Sequence, residues 1–278
     1  MVYYMSCMST ENQVSTSEFF ERRSVFSLAE ATAALNPPGG RAGTVRRLKH
    51  HIERGRVKQI ERGIYAVVPR HQSPERFLPD TFLVARAARP DAVFAYHSAL
   101  ELLGAGHSAW HKVTVFTARR RPSLKFGSAK ISFFPHPGSM RSESDCHFAT
   151  RRVEWRGRIL RVTGPERTLA EGMRRTELVG GFAELVACAG AFSTLDIQLL
   201  RAVLERYSTR YLWGATGWFL EKHRDQFGIT DDDLLYFKKN RPKSPQYLLR
   251  DRRGGKLATA WNVILPDEVQ QLREPDAS

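Results

Sequence analysis

Between Phe26 and Pro69 the chain carries, in a fixed order, a capping box, a Pro/Gly turn, a basic amphipathic run, a single Gly and two β-rich segments joined by an Arg-Gly pair. Ser27 stands three residues before Glu30, the spacing at which side chain and backbone satisfy each other's orphan amides, so a short helix is expected through Leu35. After the stretch from Asn36 to Gly43, residues Thr44 to Arg54 place apolar side chains at 45, 48 and 52 with basic residues between them. One stripe should pack inward and a cationic face should look outward. Gly55 ends that second helix, and Val57 to Ile60 and Ile64 to Val68 flank Glu61-Arg62-Gly63 as two strands around a tight turn. Helix, helix and hairpin in this order predict a winged helix-turn-helix.

Charge separates this reading from that of an ordinary small α/β unit. Residues 41 to 70 hold nine Arg or Lys against Glu53 and Glu61, a net of +7 and half of the chain's formal +14. On an isolated helix such a cluster is more often a solvated face than a binding surface. Here the helix is followed by a wing, the arrangement that presents a helix to the major groove and a hairpin to the backbone. The expected DNA-binding residues are Arg41, Thr44, Arg46, Arg47, Lys49, His50, Arg54, Lys58 and Arg62. Arg46, Arg47 and His50 are assigned to base edges or phosphate, Thr44 to the cap of the recognition helix, and Lys58 and Arg62 to anchoring the wing.

The run from Arg54 to Val67 (RGRVKQIERGIYAV) resembles the end of the winged-helix domain of the AbiEi family of antitoxins and transcriptional regulators. Downstream, Tyr96 to Gly104 (YHSALELLG) and Thr163 to Leu169 (TGPERTL) resemble landmarks of that family's second domain. Together they cover roughly residues 17 to 205, and it is the order of the three that carries the likeness. The resemblance implies a type IV toxin-antitoxin system: an antitoxin that represses its own operon at inverted-repeat operator DNA. It would oppose an AbiEii-like nucleotidyltransferase toxin without needing a stable complex with it. One departure is the length of Asn36 to Gly43, which leaves the start of the recognition helix open.

With 278 residues the chain has room for more than one core. Residues 1–16 have no helical or strand period and are expected to be a flexible leader. Residues 17–73 form the winged domain, with Ser17 to Arg23 as its first helix, and the proline-bracketed stretch Pro69 to Arg76 is the linker. Residues 74–278 are expected to be a larger α+β domain with a mostly antiparallel sheet, becoming helical from about 193. Helices are expected over Asp80 to Arg89, over Tyr96 to Leu103, and from Glu166 to Arg174 with Thr163 as cap. Thr230 ahead of Asp231, Asp232 and Asp233, with Lys238 and Lys239 at the far end, matches the helix dipole. Gln246 to Arg250 and Thr259 to Leu265 are expected to pair as a final hairpin.

Enzymatic chemistry leaves little trace. The glycines at 39, 40 and 43 are not followed by the lysine of a phosphate-binding loop, and no Asp-x-Asp follows Gly127-Ser128 to hold two metals. His97, His107, His111, His136 and His147 lack metal-ligand spacing, and Asp231 to Asp233 are better explained as a helix start than as a magnesium site. Cys7, Cys146 and Cys188 suggest neither a zinc knuckle nor a disulfide framework. No apolar run approaches a membrane span, so a cytoplasmic protein without a cofactor or metal is expected. The sequence reading is a DNA-binding repressor and antitoxin, not an enzyme. Two alternatives remain beside it: an enzyme acting on nucleic acid and delivered by the winged helix, or a stand-alone ligand-responsive regulator.

Overall fold

The computed structural model describes residues 14–108, 110, 112–249 and 254–267. The chain is α+β and divides into two compact units, the first running to Pro90 with Phe126–Ser128 and the second holding the remainder.

The first unit contains α1 (Thr16–Arg22), β1 (Val25–Ser27), α2 (Leu28–Leu35), α3 (Gly40–Glu53), β2 (Val57–Glu61), β3 (Ile64–Val67) and α4 (Thr81–Ala88). Of the expected leader, residues 1–13 lie outside the described residues; Ser15 already caps α1, its Oγ accepting from the Glu18 amide at 3.2 Å. The Ser27 box forms as the spacing requires: the Glu30 amide donates to Ser27 Oγ at 3.2 Å and the Ser27 amide donates to Glu30 Oε2 at 2.8 Å. β1, which no period in the sequence marks, pairs antiparallel with β3, giving a sheet of order β1-β3-β2. Phe19, Phe20, Phe26, Leu28, Leu35, Leu48 and Tyr65 form the core. Phe26 sits between Phe20 and Tyr65, each ring centroid 5.8 Å away and nearly parallel.

Two boundaries differ from expectation. α3 starts at Gly40, four residues before Thr44, so the connection from α2 is only Asn36 to Gly39. Asn36 and Gly39 adopt left-handed conformations, and a Cβ at Gly43 would collide with the Pro38 carbonyl, which is why glycine is needed there. The long turn expected from the glycines does not form, because Gly40 and Gly43 lie within the helix. Helix α4, capped by Asp80 through the Leu83 amide at 2.9 Å, packs on β1 and β3. The first unit therefore extends through Pro69 to Arg76 and beyond the boundary expected at residue 73.

The second unit is built on β4 (Val93–Phe94), β5 (Lys112–Thr117), β6 (Leu124–Phe126), β7 (Ala129–Pro135), β8 (Thr150–Trp155) and β9 (Arg158–Thr163), in the order β6-β7-β5-β4-β9-β8. β4–β5 and β8–β9 are antiparallel, whereas β4–β9 and β5–β7 are parallel. Two parallel pairs thus interrupt the antiparallel pattern: β7 reaches β5 only after β6, at the sheet edge, so β5 and β7 run in the same direction. Around it lie α5 (His97–Leu102), α6 (Pro165–Arg174), α7 (Phe182–Gly190), α8 (Ile197–Tyr207), α9 (Arg210–Lys222), α10 (Arg224–Phe227) and α11 (Asp231–Asn240).

Thr163 does not cap α6. Its hydroxyl lies 2.7 Å from that of Thr168, and the N-cap is Gly164 without a side-chain bond. Thr230 does cap α11, reciprocally with Asp233. The final hairpin also resolves differently: β10 (Gln246–Tyr247) lies parallel to β12 (Val263–Leu265), and β11 (Lys256–Ala258) is the antiparallel partner of β12. Among the described residues no helix is long and apolar enough to cross a membrane.

Candidate nucleic-acid interface

Helix α3 buries Thr44 and Leu48, and half-buries Arg47, His51 and Ile52, so its inward stripe is set by residue 44 and not 45. The shift follows from the earlier helix start, which turns Thr44 inward. Thr44 is fully buried, and its hydroxyl donates to the Gly40 carbonyl at 3.0 Å, so it is neither a cap nor within reach of a ligand. Val45 is 45% exposed. The outward face carries Arg41, Ala42, Val45, Arg46, Lys49, His50 and Glu53. Lys49 approaches Glu53 at 3.9 Å, an exposed pair that contributes little.

The charge at the N-terminus of α3 runs against its own dipole. No acid lies in the first turn, where Arg41 sits beside the positive pole, and the N-cap Gly39 supplies no side-chain bond. By contrast, α11 opens with three aspartates and closes with two lysines. A cation in the first turn costs a few tenths of a kcal/mol in water, and an anion at the same place would be favoured by both the dipole and Arg41.

The other expected residues divide. Arg62 is exposed at the wing, where Gly63 at φ +81° makes the turn. Lys58 is not beside it: its Nζ donates to the carbonyls of Phe77 at 3.0 Å and Glu75 at 3.4 Å, tying β2 to the segment that leads to α4. Arg47 is half-buried, with Nη1 3.5 Å from Thr16 Oγ1. Arg54 belongs to a different neighbourhood. With Arg56, Arg70 and Gln72 it lines an open basin of about 670 Å³ over Phe20, Pro69 and Pro74 at the C-terminal end of α3. Arg46, Arg41, Lys49 and His50 therefore share one face, Arg62 marks the wing, Arg54 the basin, and Thr44 and Lys58 serve the fold.

His51 shows how strongly positive this neighbourhood is. Its pKa is lowered, first by burial and then by Arg56, His50, Arg54 and Arg47. Its ring meets Phe20 edge-on at 4.9 Å, so it belongs to the packing and not to the interface.

The second unit's charged landmarks are internal. Arg167 and Glu171 are buried, paired through Nε and Oε1 at 2.8 Å, and Tyr207 donates to the same Oε1 at 2.6 Å. Arg167 Nη1 also donates to the carbonyls of Phe148 at 2.9 Å and Cys146 at 3.2 Å. His97, stacked on Trp110 at 4.7 Å, has Nε2 3.8 Å from Glu184. Cys188 donates to Glu184 at 3.4 Å, and burial pushes its thiol up to about 11, so it is no nucleophile at neutral pH. Among the described residues no group of three or more His, Cys, Asp or Glu side chains could hold a metal ion; His111 lies outside them.

No family model and no curated protein matches this chain. Among solved structures it is similar to the RV2827C protein from Mycobacterium tuberculosis, with a TM-score of 0.60 at 17% identity, covering 88% of this chain and 87% of that one. At that identity the likeness is one of fold.

Proposed function

We propose that the chain is a sequence-specific double-stranded DNA-binding repressor that uses α3 as its recognition helix and the β2–β3 turn as its wing. The observation that carries this reading is the outward face of α3, where Arg41, Arg46, Lys49 and His50 are exposed together and Arg41 opposes the helix's own dipole. Such a face gains from a polyanion what it gives up in water. On this reading the protein is not an enzyme: Arg167 and Glu171, buried in the second unit, pair with each other, with Tyr207 and with the Phe148 carbonyl. The more specific role, an antitoxin that represses its own operon and counters a nucleotidyltransferase-like toxin, rests on the sequence resemblance to AbiEi proteins.

The test is titration of the full-length protein onto a duplex of its own promoter at several salt concentrations. Binding should weaken steeply, with log K falling by roughly 0.9 per phosphate neutralised for each decade of salt. Arg46→Glu should abolish it. A salt-insensitive interaction, or one that tolerates Arg46→Glu, would remove the basis for the proposal. For the antitoxin role, co-expression with a nucleotidyltransferase encoded beside it should restore growth. If growth is not restored, the repressor reading stands without the antitoxin.

A further inference from the structure

Val45 is one of two large apolar side chains exposed in the described part of the first unit, the other being Leu78, and it is the one on α3. It stands one turn beyond Arg41, beside Arg46, and one turn before Lys49, in a row completed by exposed Ala42. Spacings of three and four residues place 42, 45, 46 and 49 on adjoining strips of the same face. The fold does not draw on Val45 for its core: the buried position in this turn belongs to Thr44. A β-branched residue at a solvent-facing helix position is also a slightly poor helix former.

We infer that Val45 is a specificity-determining residue that packs on the 5-methyl group of a thymine in the major groove, beside the base pair approached by Arg46. This assignment rests on the DNA-binding role proposed for α3. Thymine's methyl is the only apolar group that any base presents on the major-groove edge, and short apolar side chains on a recognition helix are its natural partners. Arginines supply attraction to every sequence alike through phosphate, or prefer guanine through its O6 and N7. A valine flanked by Arg41, Arg46 and Lys49 adds what those cations lack, an interaction whose removal is felt at one base and not along the backbone. Removing one methyl group from the interface should weaken binding about fourfold, the equivalent of roughly 0.8 kcal/mol for one buried carbon.

The experiment uses the full-length protein and deoxyuridine, which differs from thymidine only by that methyl. Preferred duplexes are selected from a random library, and each thymine in the selected site is replaced in turn by deoxyuridine at fixed salt. At one thymine per half-site, wild type should lose about fourfold in affinity. In Val45→Ala, whose exposed helical position favours alanine, that penalty should fall below twofold. Arg46→Ala should weaken binding to both duplexes while keeping their ratio. The thymine contact is overturned if no replacement weakens wild-type binding, or if the penalty survives in Val45→Ala. Failure of the wild type to bind any duplex would instead overturn the DNA-binding role on which the contact rests.

Discussion

Arginine does opposite work on α3 and in the core of the second unit. On α3, Arg41 and Arg46 are exposed, and their charge helps neither the helix nor its neighbours. In the second unit Arg167 is buried against Glu171, Tyr207 and two backbone carbonyls, with its guanidinium also 5.5 Å from the Phe116 ring centroid. The first arrangement costs the fold almost nothing to alter, because water takes over whatever the side chain leaves. In the second, removing one partner leaves a carboxylate uncompensated in a medium that cannot solvate it. These arginines are thus two populations, one available to a polyanion and one used up in holding helices together.

The sharpest way to break this comparison is to delete one arginine from each population. Arg167→Met should destabilise the second unit by about 3 to 5 kcal/mol, the usual consequence of orphaning a buried charge. Arg46→Ala should stay within about 0.5 kcal/mol of wild type. All five tryptophans, at 110, 155, 213, 218 and 261, belong to the second unit, so urea unfolding followed by tryptophan fluorescence reports on it. Similar midpoints for wild type and Arg167→Met would mean that the network is ornamental.

Acid should act next, and mainly on the second unit. Burial, and then the charge of Arg167, lower the His136 pKa to about 4. Burial is likewise the leading cause of the lowered values at His97, His147 and His223 in the same unit, and at His51 in the first. For each, the unfolded chain binds the proton more readily than the folded one. Stability is therefore intact above pH 6.5 and is lost as pH falls from there toward 4. His136 alone accounts for up to about 3 kcal/mol by pH 4. Urea midpoints between pH 7.5 and 4.5 should fall with pH, and His136→Phe should flatten the curve. A midpoint that rises on acidification would reverse this sign.

These differences also explain what could be read from the chain. Local signals carried through: Ser27 with Glu30 forms the box its spacing demands, because three residues of backbone suffice to determine it, and the helix expected after Thr230 starts there. Signals that depend on distant partners did not. Thr163 has the spacing of a cap but meets Thr168. Gln246 to Arg250 and Thr259 to Leu265 read as hairpin arms, but β10 lies parallel to β12 because β11 takes the antiparallel place beside β12. On α3, which starts four residues earlier than expected, Thr44 turns into the core and Val45 faces out. Lys58 is claimed by a carbonyl pair 17 and 19 residues downstream, which no local pattern encodes.

A milder test concerns the capping box. Ser27→Ala removes the acceptor for the Glu30 amide, and the helix that supports α3 should lose about 1 kcal/mol. Hydrogen exchange should show faster exchange at the Glu30 amide and through α2, while the core of the second unit keeps its protection. Equal loosening of both units would show that they unfold as one.

The smallest expected effect sharpens the comparison within the wing itself. Lys58 and Arg62 lie on the same hairpin four residues apart, and charge alone makes them equivalent. The structure makes them different: the Lys58 ammonium is held by the Phe77 and Glu75 carbonyls, while Arg62 extends from the turn beside Gly63. Arg62→Ala should remove one phosphate interaction, lowering the salt slope of DNA binding by roughly 0.9 and weakening all sequences about equally. Lys58→Met, which keeps most of the aliphatic stem, should leave the slope unchanged. Its effect belongs to stability, about 1 kcal/mol for charge-assisted bonds at a partly exposed site. Measured side by side on one duplex, equal slope changes would return Lys58 to the interface. A change confined to Lys58→Met would mean that the wing turns its other edge to the DNA.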